Sequence, residues 1–162
     1  MKKGFLLSLT LLLVNAISAQ EQSLNTLGKQ KLQPVFSKGQ KGSVKNFTGN
    51  AYNHPLIEND SVMTILGGEV YFEPGARSNW HTHPAGQILV VTAGVGYHQI
   101  EGQSIQIIQK GVTIKCPPNT NHWHGASKDQ GMAHIYLLPN TEKGIVNWGR
   151  PVTDEEYQAA NN

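Results

Sequence analysis

Cysteine is almost missing from this 162-residue chain. With Cys116 alone, no intrachain disulfide can close, and the fold must be held by its core rather than by covalent staples. Set among Val, Thr, Ile and Lys in residues 112–116, Cys116 reads as a small buried apolar residue. An excess of one charge is also lacking. Once the leader carrying Lys2 and Lys3 is set aside, the 13 basic residues fall to 11, matching the 11 acidic ones. Such a balance offers no electrostatic footprint for nucleic acid, and none is expected as a partner.

The one long apolar run is N-terminal. Residues 1–19 read as a signal peptide: two lysines, an apolar segment too short to span a bilayer, and small residues before Gln20. The protein is expected to be exported, periplasmic or secreted, with no membrane attachment after cleavage. About 140 residues then remain, the size of one domain with a single core. Residues 20–46 carry five lysines and few large apolar side chains, and are expected to form a flexible basic linker. The folded domain is expected over 47–162.

Helical periodicity is scarce as well. From Phe47 onward, short runs of β-branched and aromatic residues are broken by Gly, Pro and Asn. Strands are expected over 62–72, 80–83, 88–93, 97–100, 104–108, 112–116, 122–126 and 132–138. Gly94-Val95-Gly96 reads as one of the separators. The fold class is therefore all-β, a small antiparallel sandwich or barrel. One exception is the C-terminus, where Thr153 is a good N-cap for three acids and predicts a short helix to about Ala160.

What the chain does have is a set of placed histidines. In an extended segment His81 and His83 point to the same side and can hold a metal ion between them. By the same alternation His124 shares a face with His122. In 132–138, His134, Tyr136 and Leu138 share a face, and Tyr136 and Leu138 are expected to line a substrate pocket with it. His134 is expected inward, beside the metal rather than on it, as a general acid or base. Of the two faces of 69–72, Val70 with Phe72 is chosen to line the pocket. Trp80 and Trp123 should face away from the ligands, toward core packing or a subunit contact. His54 and His98 are expected at the surface.

Two spaced motifs occur together. The first is Gly75, five residues, His81-Thr82-His83, three residues, Gln87, six residues, Gly94; the second is Gly111, five residues, Pro117-Pro118-Asn119, two residues, His122, three residues, Ala126. Their spacing resembles the cupins, with Gln87 where that family usually has glutamate, Asn119 for glycine and Ala126 for asparagine. The resemblance implies a single-domain cupin jelly roll in which His81, His83, Gln87 and His122 bind one divalent metal. More narrowly, residues 72–87, 122–126 and 152–157 resemble the small bacterial cupins described as carboxymuconolactone-decarboxylase-associated, which include metal-dependent (R)-selective hydroxynitrile lyases.

Three imidazoles suit manganese, iron, zinc, nickel or cobalt, and the narrower resemblance implies manganese. It also implies cleavage of a cyanohydrin to a carbonyl compound and cyanide, with His124 and His134 managing the proton. Gln87 supports it, because a neutral carbonyl ligand leaves the full metal charge for Lewis-acid chemistry. Leu138 stands where those lyases often carry glutamine. The competing expectations are an iron-dependent dioxygenase or isomerase of small aromatic or enolic acids, and a non-catalytic cupin that binds a small ligand. The expected partners are a small-molecule substrate and a second copy of the chain, in a homodimer or higher homo-oligomer.

Overall fold

One strand, β7 (Gln87–Ile100), organises the architecture of the computed structural model, which describes residues 34–159. At 14 residues it serves two sheets in turn. Its first half lies between β9 (Thr113–Cys116) and β11 (Met132–Pro139). Its second half lies between β8 (Gln106–Gln109) and β10 (His122–Ala126). Beyond β11 the first sheet continues through β4 (Ile65–Phe72) and β3 (Ala51–Ile57) to β1 (Gln40–Lys41). Beyond β10 the second continues through β5 (Arg77–Ser78) to β2 (Phe47–Thr48). The short β6 (His81–Thr82) joins β10 to β12 (Asn147–Trp148). Every pairing among the described residues is antiparallel, and the sheet curls into a small β-barrel as the all-β reading requires.

A bulge in β7 decides which residues enter the interior. Ala133 faces Ala93 while His134 faces Val91, so Thr92 is left over and the strand's alternation flips there. Before the bulge Gln87, Leu89 and Val91 are the buried set; after it Gly96 and His98 share the inner face with His124. Thr92 itself donates its hydroxyl to Glu69 Oε1 at 2.8 Å. The expected break at Gly94-Val95-Gly96 is instead continuous strand. Glycine is needed at 96 because a Cβ there would sit 2.1 Å from the Gly125 carbonyl oxygen. Gly68 likewise makes room for the Tyr136 ring, whose hydroxyl would lie 2.7 Å from an added Cβ.

The expected leader lies outside the described residues, as does the first part of the expected linker. The rest of that segment corrects the expectation: β1 pairs with β3, the Phe36 ring stacks on His54 at 5.6 Å, and Lys38 pairs with Glu73 at 2.6 Å. Its lysines read as solvated, but an edge strand needs only backbone groups and a few side-chain anchors.

At the other end α1 (Asp154–Gln158) forms under a complete capping box between Thr153 and Glu156. It closes the outer face of β10. Tyr157 donates its hydroxyl to the Ala126 carbonyl at 2.8 Å, and the Arg77 guanidinium lies over its ring while bonding the Val152 carbonyl and Asp154. Trp80, Tyr97, Trp123, Val152 and Tyr157 form a core cluster there. Among the described residues no helix is long and apolar enough to cross a membrane.

Candidate metal centre

β6 and β10 pair so that His81 stands directly opposite His122. His83 follows β6 in a turn that returns through Gly86 to Gln87, and its carbonyl accepts from Gly86 and Asn119. Asn119 adopts φ 56°, the left-handed conformation for which asparagine substitutes for glycine. The ring centroids lie 4.3 Å apart for His81 and His122, 5.1 Å for His81 and His83, and 5.7 Å for His83 and His122. The ligand atoms of these three histidines all fall within 4.8 Å of one another.

Backbone carbonyls fix how the rings are presented. Nδ1 of His81 meets the Asn79 carbonyl at 2.9 Å, Nδ1 of His83 that of Ile145 at 2.6 Å, and Nδ1 of His122 that of Thr120 at 2.9 Å. Each Nδ1 therefore carries the hydrogen and each Nε2 is left with a bare lone pair. Nε2 of His83 has no protein partner although it is buried. Nε2 of His122 faces Gln87 Oε1 at 3.0 Å, two acceptors in an arrangement that a cation between them resolves. Burial pushes the His122 imidazole down to about 4, and lowers His81 and His83, against the raising effect of their carbonyl partners. Neutral imidazoles are what a metal ion requires, so this donor set fits a divalent cation.

Beside it, His134 Nε2 and His124 Nδ1 lie 3.2 Å apart, and His124 Nε2 and His134 Nδ1 have no protein partner. Both rings line a cavity of about 240 Å³ together with His81, His83 and Gln87. Val70, Tyr136 and Leu138 form part of its wall, on the faces expected. Phe72 does not; it is fully buried, its ring 5.7 Å from that of His124 and 5.8 Å from that of His134, and it supports the pair instead. Phe47, Asn53 and Trp148 also line the cavity, and sequence reasoning missed them. Phe47 and Trp148 belong to two-residue strands, too short for any alternation to show.

His98 corrects a further expectation. It is 1 % exposed, with Nε2 3.2 Å from Cys116 Sγ, because the bulge in β7 reversed the parity that would have turned it outward. His54 is half-buried against Phe36. Trp80 and Trp123 do lie on the outer face, in the cluster under α1.

Residues 68–138 match the family model described as Cupin domain. The chain is similar to an (R)-mandelonitrile lyase of Granulicella tundricola, 41 % identical over 118 residues that make up 73 % of this chain and 90 % of the relative. It is similar also to a solved cupin-like protein of Thermotoga maritima, with 42 % identity, 79 % of this chain and 97 % of that one covered, and a TM-score of 0.77. A DMSP lyase of Ruegeria pomeroyi shares the fold at 18 % identity and a TM-score of 0.57, covering 72 % of this chain and 64 % of its own. With a matched domain, close relatives along most of its length and a barrel built around converging histidines, the chain belongs to the cupin family.

Proposed function

We propose that this cupin is a metal-dependent lyase of the hydroxynitrile type, cleaving a cyanohydrin to a carbonyl compound and hydrogen cyanide. The observation that carries the reading is an all-neutral donor set, three imidazoles and an amide, beside a coupled imidazole pair in an apolar-walled cavity. The name of the Granulicella tundricola relative supports it. Nε2 of His81, His83 and His122 and Oε1 of Gln87 would hold one divalent ion, manganese first. When bound, that ion supplies an undiminished positive charge, a Lewis acid for the negative charge that develops on the substrate.

The chain's own residues handle the rest. Burial pushes His134 down to about 4 and His124 well below its ordinary value, so both rings are neutral near pH 7. One donates its hydrogen to the other across the 3.2 Å contact. Of the two remaining nitrogens, one therefore bears a hydrogen and the other a lone pair. The bare nitrogen takes the hydroxyl proton, the oxygen's electron pair forms the carbonyl, and the bond to the nitrile carbon breaks with its electrons on cyanide. The same nitrogen then passes that proton to cyanide, which returns the pair to its starting tautomer. Val70, Leu138, Phe47 and Trp148 hold the organic group and keep water from the leaving cyanide.

Manganese-loaded protein should release benzaldehyde from mandelonitrile. His134→Ala, with its metal content checked by elemental analysis, should be slower by about 10²–10⁴-fold. Equal rates with and without metal, or an undiminished rate in the variant, would sink the reading.

A further inference from the structure

A second group of ligand atoms shares His122. His98 on β7 and Cys116 at the end of β9 meet inside the barrel with Nε2 and Sγ 3.2 Å apart, and the His98 ring lies 5.6 Å from that of His122. All three side chains are buried, and their ligand atoms lie within 4.8 Å of one another. Neither His98 nor Cys116 has a part in the lyase chemistry proposed above. As a packing pair they are poor, since a thiol is a weak hydrogen-bond partner for a desolvated imidazole. An apolar pair of similar volume would fill the same space at less cost.

What the trio offers is two imidazole nitrogens and a sulfur converging on one region. That set suits zinc, cadmium or cuprous copper, and does not suit manganese, which prefers oxygen. Nδ1 of His122 is engaged by the Thr120 carbonyl, so Nε2 is its free ligand atom, the same atom that faces Gln87. One lone pair binds one ion.

We infer that His98, Cys116 and His122 form a second metal position, for a thiophilic cation, that competes with the first through the shared His122 Nε2. The Cys116 proton passes to solvent as the sulfur–metal bond forms. Occupation withdraws His122 from His81, His83 and Gln87, so a thiophilic ion releases the one held there. The competition rests on the proposed first site; the second position stands without it.

The test is a cadmium titration of metal-free protein, followed by the near-ultraviolet sulfur-to-cadmium charge-transfer band. Because Cys116 is the sole cysteine, the band reports on it alone. Wild type should saturate at one equivalent, and so should His83→Ala, which lacks the first site. The band should vanish in Cys116→Ser, and affinity should fall by about 10–100-fold in His98→Gln, with circular dichroism checking that each variant is folded. Cadmium should also release manganese from wild type, seen as the free-ion paramagnetic resonance spectrum, and release far less from Cys116→Ser. A missing band in wild type, or undiminished affinity in His98→Gln, overturns the second position. Failure of manganese to bind at all would instead fall on the first site, since the band in His83→Ala does not depend on it.

Discussion

The two faces of β10 are built on opposite rules. Outward, Trp123 donates its indole hydrogen to Gln99 at 2.8 Å, Tyr157 bonds the Ala126 carbonyl, and Arg77 bonds Val152 and Asp154. Inward, the same strand presents His122 and His124 to an interior where His83 Nε2, His124 Nε2 and His134 Nδ1 are buried without protein partners. Buried polar atoms are normally paired, and leaving them bare costs about 1–3 kcal/mol each. One strand therefore carries paired groups on its outer face and buried nitrogens without protein partners around its inner face.

The largest effect on stability should come from the outer face. Trp123→Ala removes a fully buried side chain and should destabilise the metal-free protein by about 3–5 kcal/mol, read from urea unfolding. A loss under 1 kcal/mol would break the division between the faces.

A smaller, pH-dependent effect is expected at the rim of that face. The Arg150 guanidinium bound to Glu156 holds its carboxyl down to about 2, against an ordinary value of 4.5. Because the folded value is the lower one, this contribution is fully present above the ordinary value and is lost as pH falls toward the folded value. The pair is partly exposed, so Glu156→Gln should cost no more than about 1 kcal/mol near neutrality. The gap between wild type and variant should close below pH 4.5, as urea midpoints across pH will show. A gap that widens in acid would contradict the assignment.

The smallest stability change is expected inside. Replacing both members of the imidazole pair, as His124→Leu with His134→Leu, removes two desolvated rings together and should leave metal-free stability within about 1 kcal/mol of wild type. Mandelonitrile cleavage should disappear in the same protein. A double variant that unfolds, or one that keeps turning over, would erase the contrast between the faces.

Much of this was legible beforehand. The spacing from Gly75 to Gly94 and from Gly111 to Ala126 led to His81, His83, Gln87 and His122, which the fold does bring together. Thr153 and the three acids after it announced α1 because an N-cap and the charges of a first turn act within one helical turn. Strand 122–126 was placed to the residue. The short strands that went unseen share a cause. β1, β2, β5 and β12 have two residues each, and such strands exist only because a neighbour's backbone satisfies them. His98 was misplaced because Gly94-Val95-Gly96 read as a turn beside it, whereas β7 runs on through those residues and the extra residue at Thr92 sets which side of the continuous strand faces inward.

The sequence by itself determined the β class, the spacing of the candidate metal ligands and the capped C-terminal helix, since these depend on neighbours along the chain. Tertiary structure decided which nitrogens are bare, because backbone carbonyls from Asn79, Thr120 and the distant Ile145 set each tautomer. It also decided that His98 meets Cys116, through a bulge with no signature in the residues themselves.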